Sequence, residues 1–149
     1  MKKTLFVLCL SWICLDRSAH ATIGEKAPSV DKDAAALGSV KTRSFAKRFV
    51  VDTLTSKTHT VREYLSPGGI VFAVTWKGMV HPDLSILFGE RYERFKAAAE
   101  NTSPQLGTAG RVVKTQDLVV ELSGHMRDVE GRAYAPDLIP SKVTVEEIK

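Results

Sequence analysis

Cysteine is nearly lacking from this chain of 149 residues, and the two that occur both lie within the first 21 positions. Cys9 and Cys14 belong to an apolar stretch, Thr4 to Leu15, which follows Lys2 and Lys3. A basic start, a short apolar run and a polar end in Ala-His-Ala are typical of a secretory signal peptide. Cleavage at that point leaves no thiol, which excludes disulfides, thiolate metal ligands and cysteine nucleophiles.

Long hydrophobic runs are also lacking. The apolar stretch in the leader would rise only about 18 Å as a helix, well short of a ~30 Å hydrocarbon core. Lipid attachment in bacterial lipoproteins needs a small residue before the cysteine, whereas Cys9 follows Leu8 and Cys14 follows Ile13. We therefore predict an exported, soluble protein, periplasmic or extracellular, that is not a lipoprotein.

Charge of one sign is not in large excess. The formal charge is +4, and removal of the leader lowers it to +2. No dense Lys/Arg block with interleaved aromatic residues occurs, so nothing indicates a nucleic-acid partner. The length suits one domain with its own hydrophobic core. We divide the chain into a signal peptide (1–21), a partly flexible N-terminal arm (22–44) and a single domain (45–149).

Three segments rich in β-forming residues follow one another with short turn signals between them. They are FAKRFVVDTL (Phe45–Leu54), TVREYL (Thr60–Leu65) and IVFAVTW (Ile70–Trp76). The turn Ser66-Pro67-Gly68-Gly69 predicts a type II geometry with a positive φ at the first glycine. The third segment is apolar on both faces, which is typical of a central strand. These features predict an antiparallel meander.

The hydrophobic period then changes. After Pro82-Asp83, apolar residues recur at helical spacing and predict one long amphipathic helix from Leu84 to Ala99. LVVEL (Leu118–Leu122), the turn Ser123-Gly124 and a return strand, His125–Val129, predict a second hairpin. The predicted fold class is therefore α+β: an antiparallel β-sheet of a meander plus a hairpin, with the helix packed on a face.

Several blocks of the chain are similar in sequence to a known protein family. In order they are ATIGE, AALG, VREYLSPGGIVFAVTWKG, PDLSILFGERYERF and DLVVELSGHMRDVEGRAYAPDLIP. Together they resemble a family of small secreted proteobacterial proteins classified only as a domain of unknown function. The likeness spans Ile23 to Ile148, and its most specific blocks are Arg62 to Trp76 and Asp117 to Pro140. It implies a bacterial exported protein and carries over no catalytic residue.

Catalytic motifs are mostly lacking. The sequence has no nucleophile elbow, no phosphate-binding glycine loop and no His-Glu-x-x-His pair. His59, His81 and His125 are far apart in the chain, so they form no local metal-ligand pattern. We expect neither a metal nor a cofactor.

The segment around His125 is the strongest functional candidate. A histidine beside a glycine turn can be exposed at the end of a sheet and titrate near neutral pH. Nearby guanidinium groups match carboxylate and phosphate oxygens, so the cluster could hold an anionic group. An alternative is a plain hairpin with Arg127 paired to Glu121 or Asp128. The candidate binding residues of this segment are Arg127, Arg132 and Tyr134.

Further candidates lie on the predicted meander. Arg62 and Tyr64 share one strand face, and Glu63 takes the other. Trp76 ends the central strand, where it could line a groove or cap the core while its indole N–H finds a partner. A paired-carboxylate site would need acids brought together in space, and nothing in the spacing of the candidates forces this. Those acids are Glu63, Asp83, Asp117 and Glu121.

We expect the protein to be a non-enzymatic envelope accessory or binding protein. One alternative is a small hydrolase-like enzyme that uses His125 with a carboxylate. Another is a structural subunit of an envelope assembly that pairs through an exposed sheet edge. The expected partner is an envelope protein or a small anionic ligand, with no nucleic acid and no membrane span after cleavage of the leader.

Overall fold

A seven-stranded sheet forms the centre of the computed structural model, which describes residues 23–102 and 110–149. The predicted signal peptide lies outside the described residues. Every neighbouring pair of strands is antiparallel, and the order across the sheet is β1-β2-β3-β4-β7-β6-β5. The strands are β1 (Val40–Phe45), β2 (Val50–Thr55), β3 (His59–Leu65), β4 (Val71–Gly78), β5 (Gly110–Lys114), β6 (Val119–His125) and β7 (Asp128–Tyr134).

Three helices pack on one side of the sheet, here called the helix face: α1 (Pro28–Ala36), α2 (Leu84–Phe88) and α3 (Tyr92–Glu100). The helix predicted after Asp83 is confirmed, although a 3₁₀ turn, Gly89–Arg91, separates α2 from α3 because Gly89 adopts a φ of +48°. The predicted α+β class is therefore confirmed. The largest core side chains on this face include Leu54, Val61, Trp76, Leu87, Phe88 and Phe95.

The last residues of the chain cover part of the opposite side of the sheet. This segment, residues 135–149, is here called the tail, and the side it covers is the tail face. It contains two 3₁₀ turns, Pro136–Leu138 and Val145–Glu147. Because both sides are covered, six consecutive residues of β4 are buried, as predicted for a central strand. The tail-side core is Tyr64, Phe72, Ala73, Val143 and Ile148.

The N-terminal segment that we expected to be a partly flexible arm contributes regular structure. It supplies α1 and nearly all of β1, which is the edge strand beside β2. Ile23 and Val30 are fully buried in the core of the helix face. The apolar residues of this segment are too few to show a period in the sequence, but they pack against the sheet.

The predicted strand Phe45–Leu54 is wrong in its first half. The chain reverses over residues 46–49, where the amide of Ala46 donates to the carbonyl of Phe49 at 2.9 Å. Arg48 in this reversal bonds Glu147 of the tail at 2.8 Å. The reversal is thus held partly by a contact with a residue almost one hundred positions away, which no local pattern reveals.

The glycine with positive φ in the first predicted turn is the second one. Gly69 adopts a φ of +75°, while Gly68 stays outside that region, so the predicted type II geometry is wrong. The turn bond itself is present, because the amide of Gly69 donates to the carbonyl of Ser66 at 2.8 Å. The chain therefore reverses where predicted, but the residue with positive φ is Gly69 instead of Gly68.

The second hairpin turns three residues later than predicted. Strand β6 continues through Gly124 to His125, which pairs with Asp128, so the loop residues are Met126 and Arg127. A Cβ on Gly124 would lie 2.3 Å from the carbonyl oxygen of Asp128. This glycine therefore permits the close approach of two strands instead of forming the turn.

Candidate functional site

Polar side chains form a groove on the part of the tail face that the tail leaves open. The groove has a volume of about 600 Å³. Its floor consists of two rows of side chains across β3, β4, β7 and β6, set by the strand register. The first row is Arg62, Thr75, Arg132 and Glu121, and the second is Thr60, Lys77, Glu130 and Ser123. Ile148 and Lys149 of the tail also line the groove.

Strand alternation explains why this floor is polar. Along β3, Val61 and Glu63 point to the helix face, so Arg62 and Tyr64 point to the tail face. Along β7 the buried Ala133 likewise separates two residues that point to the tail side, Arg132 and Tyr134. Four of the predicted binding residues, Arg62, Tyr64, Arg132 and Tyr134, therefore lie on the same face.

Arg132 connects the groove floor to the tail. Its Nη1 donates to the carbonyl oxygens of Val145 at 2.9 Å and of Ile148 at 3.2 Å. Its Nη2 donates to a carboxylate oxygen of Glu121 at 2.5 Å. The guanidinium carbon lies 5.8 Å from the centre of the Tyr134 ring, within the range of a cation–π contact. One side chain thus fixes the tail to β6 and β7.

Arg62 and Tyr64 hold the last residue of the same end of the tail. Nη1 of Arg62 donates to the main-chain oxygen of Lys149 at 3.0 Å, and the amide of Lys149 donates to the Tyr64 hydroxyl at 3.0 Å. The Tyr64 hydroxyl also donates to the main-chain oxygen of Lys149. These contacts use main-chain groups of the tail, so they depend on its path more than on its side chains.

Thr75 lies at the centre of the floor, between Arg62 on β3 and Arg132 on β7. The residue is only 8% exposed, and its hydroxyl forms no hydrogen bond within the described parts of the chain. The hydroxyl of Thr75 lies in the groove floor, where water or a ligand can bond it.

Positive charge predominates among the residues that line the groove. Four of the lining residues, Arg62, Lys77, Arg132 and Lys149, are basic, and two, Glu121 and Glu130, are acidic. Lys77 lies 3.6 Å from Glu130 and 3.9 Å from Asp128, and all three are well exposed, so water screens these pairs. Burial first, and then the charge of Glu121, raises the pKa of Tyr134. Its neutral hydroxyl donates to Glu121 at 3.4 Å.

Two of the predicted site residues lie at the tip of the second hairpin. His125 is exposed and does not line the groove. Arg127 is in the loop with a φ of +68°, and it pairs with no acidic residue among residues 23–102 and 110–149. The alternative in which Arg127 pairs with Glu121 or Asp128 is therefore wrong, because Glu121 bonds Arg132 and Asp128 lies near Lys77 instead.

Trp76 belongs to the groove lining, but its ring lies on the helix face. The residue is 2% exposed, and the ring centre is 6.1 Å from that of Phe88. Its indole N–H donates to Nδ1 of His81 at 2.9 Å. Burial lowers the pKa of His81, which favours the neutral form that this bond requires.

A second polar cluster, which our sequence interpretation missed, is buried on the helix face. Asp33 of α1 and Asp52 of β2 are fully buried beside Glu63, which is 1% exposed. Arg43 forms two bonds of 2.6 Å with the carboxylate of Asp52. The sequence did contain one indication of this cluster, because strand alternation places the acidic Glu63 on the apolar face of β3.

Burial raises the pKa of Glu63 well above its usual range, and the charges of Asp33 and Asp52 act in the same direction. A hydrogen bond with Asp33 raises it further, and such a bond between two carboxyl groups needs a proton on one of them. The charge of Lys41 has a smaller, opposite effect. The cluster therefore favours a protonated Glu63 and gives α1 a polar contact with the sheet.

The other acids that we considered as a carboxylate pair lie apart. Asp83 accepts from the amide of Ser85 at the start of α2, and Asp117 contacts Arg91 and Arg94 at 3.1 and 2.7 Å. Within the described ranges, no group of three or more His, Cys, Asp or Glu residues could hold a metal ion.

Fold and groove together define a small α+β domain with an open polar surface on one side of a seven-stranded sheet. The chain belongs to the family described as Protein of unknown function (DUF2844), whose model matches residues 19–148. No curated protein and no solved structure matches the chain. Among the residues described, no helix has the length and apolar character needed to span a membrane.

Proposed function

We propose that the protein is an exported, non-enzymatic binding domain and that the polar groove is its ligand site. One observation carries this proposal: eight polar side chains in two register rows line a groove on the part of the tail face that the tail leaves open. Binding sites are concave and hold a few convergent polar groups, and this groove has both properties. Lining residues on four strands of one sheet give it a rigid floor.

A thermal-shift screen of the purified protein against envelope metabolites tests the proposal, because a ligand that binds only the folded state raises the melting temperature. Thr60→Trp places a large ring in the groove, whereas Thr42→Trp places the same ring on the tail face at the sheet edge. We expect ligand-induced shifts to disappear in Thr60→Trp and to persist in Thr42→Trp. Shifts that survive in both variants would place the ligand elsewhere and refute the groove as the site.

Export of the protein rests on the leader pattern of residues 1–21. Mass spectrometry of the protein recovered from a bacterial periplasm or culture medium is expected to show a chain that begins at Thr22. Ala19→Asp should block processing, because signal peptidase admits only small residues at that position. Recovery of an uncleaved wild-type chain from the cytoplasm would contradict export.

Strand pairing in an envelope assembly is a second candidate, and the edge strand β1 favours it. Val40 is 73% exposed and Phe45 is 80% exposed at the two ends of this strand. An open edge with exposed apolar residues can accept a strand from a partner. Pull-down from an envelope extract tests this: Phe45→Lys should abolish capture of a specific partner, while Met126→Lys at the distant hairpin tip should not.

The hydrolase alternative depends on His125, and it needs a carboxylate within hydrogen-bond reach in a concave site. His125 is exposed beside the hairpin loop, opposite Asp128 in the register. We therefore assign no step to it in the proposed function. Replacement of His125 by Gln should leave ligand binding in the groove unchanged.

A further inference from the structure

We propose that Arg62, Thr75 and Arg132 form an oxyanion subsite in the groove, which holds a carboxylate or phosphate group of the ligand. This inference rests on the proposed function, and it specifies the chemical class of the ligand.

The central residue of the subsite is Thr75. The residue is 8% exposed in the groove floor, and its hydroxyl forms no hydrogen bond with the described residues. The hydroxyl can donate to an oxygen atom placed above it. Since neighbouring strands lie about 4.8 Å apart, the α-carbons of Arg62 and Arg132 are about 10 Å apart, with Thr75 midway between them. That spacing lets two long guanidinium side chains converge on one group.

Both arginines keep donors that the described residues do not use. Arg62 donates from Nη1 to Lys149, which leaves its Nε and Nη2 available. Arg132 uses both Nη atoms, for Val145, Ile148 and Glu121, and its Nε remains. Guanidinium N–H groups match the oxygens of carboxylate and phosphate, and such charge-assisted bonds are stronger than neutral ones.

The same side chains already bind oxygen atoms. Main-chain oxygens of Ile148 and Lys149 accept from Arg132 and Arg62 at the rim of the groove. Glu121 contacts Nη2 of Arg132 and therefore orients the guanidinium group. The positive excess of the lining residues, with Lys77 in the adjacent row, favours a ligand with negative charge.

Titration of the purified protein, followed by the amide and arginine Nε–H resonances in nuclear magnetic resonance spectra, tests the inference. The probes are inorganic phosphate and acetate, and sodium chloride at matched ionic strength controls for screening. We expect saturable shifts confined to the groove strands with at least one probe. Saturation by phosphate alone identifies a phosphate ligand, and saturation by acetate identifies a carboxylate. Shifts no larger than those produced by chloride would overturn the proposal.

Matched variants locate the subsite. Arg62→Gln should weaken anion binding about tenfold or more, because a bond between charged groups is lost, and Arg62 is exposed enough for the fold to tolerate the change. Thr75→Val keeps the shape and should weaken binding about threefold or more. Thr42→Val, in the same register row but at the sheet edge, should have no effect. Unchanged affinity in both groove variants would contradict the assignment.

Failure of this inference can be distinguished from failure of the proposed function. If neither anion binds but a neutral ligand from the thermal-shift screen shifts the groove resonances, the groove remains a binding site and the oxyanion subsite is refuted. If no compound perturbs the groove strands, both proposals are refuted.

Discussion

The ring of Trp76 lies against Gly131 across the β4–β7 pair, so closely that a Cβ on the glycine would be 2.2 Å from Cζ2 of the ring. Strands β4 and β7, which are far apart in the chain, thus meet at a glycine. The glycine permits the ring to pack against the sheet, next to Phe88, and to donate its indole N–H to His81.

Gly131→Ala should therefore destabilise the protein by about 1–3 kcal/mol, the usual cost of overpacking a core. Urea unfolding measures the change. Gly68→Ala is the control, since its Cβ would meet only Ser66 Oγ at an ordinary 3.7 Å, and we expect a change within about 0.5 kcal/mol. In a Trp76→Leu background the cost of Gly131→Ala should shrink, because the atoms that clash are gone. An equal cost in both backgrounds would contradict the contact.

Replacement of Glu63 by Gln should change how stability depends on pH. The pKa of Glu63 is raised in the folded state, so its contribution to stability is complete below the unfolded value, near 4.3, and is lost as pH rises through the folded value. Within that window the loss is up to about 1.4 kcal/mol per pH unit. Gln cannot ionise, so the variant should be more stable than the wild type at neutral pH.

Unfolding of both proteins between pH 4 and 8 checks this prediction through the difference between the two curves. Glu130→Gln serves as the control, because Glu130 is exposed and should show no such difference. A wild type that is more stable than Glu63→Gln at pH 8 would show that the carboxylate is stabilised when charged, contrary to the raised pKa.

The contact between Trp76 and His81 should respond to acid. Burial lowers the pKa of His81 below 6.5, so the stability that its neutral form contributes is complete above pH 6.5 and is lost as pH falls through the folded value. Protonation places a hydrogen on Nδ1, which then cannot accept from the indole. In the chain that begins at Thr22, Trp76 is the sole tryptophan, and its fluorescence should change with a midpoint below 6.5.

The fluorescence change should vanish in His81→Gln and persist in His125→Gln, which alters an exposed histidine in the hairpin. A transition that persists without His81 would assign the titration to another group.

Loss of Arg132 should release the tail without unfolding the sheet. Its side chain supplies bonds to Val145, Ile148 and Glu121, each worth about 1 kcal/mol or more. In Arg132→Gln we expect hydrogen exchange in residues 143–149 to become about tenfold faster or more, with little change in β3 and β4. Mass spectrometry of exchanged peptides measures this. Arg127→Gln, at the hairpin tip, should leave the exchange of the tail unchanged, and an equal effect in both variants would refute the role of Arg132.

Two residues of the groove floor and two tyrosines on the same face of the sheet could be named from the sequence, but their assembly could not. Arg62 and Tyr64 follow from alternation on β3, and Arg132 and Tyr134 from their guanidinium and phenol chemistry. That these two pairs share one face depends on the pairing of β4 with β7, whose residues are more than fifty positions apart. Thr75 carries no signal of its own, since its importance comes from its two neighbours in the sheet.

The buried carboxyl groups were also only partly predictable from the sequence. Glu63 can be placed on the apolar face of β3 by counting alternate residues. Asp33 and Asp52, which raise its pKa, come from a helix and another strand, so their approach depends on how α1 packs on the sheet.

By itself, the sequence determined the α+β class, the central apolar strand and the helix after Asp83, because the hydrophobic periods of strands and helices are properties of neighbouring residues. Tertiary structure alone decided where two of the hairpins turn and which polar side chains meet in the groove. For the first hairpin and the groove, the physical reason is that these features depend on contacts between residues apart in the chain: Arg48 with Glu147, and Arg132 with the tail. In the second hairpin, β6 continues past the predicted turn because Gly124 has no Cβ and permits the close approach of Asp128.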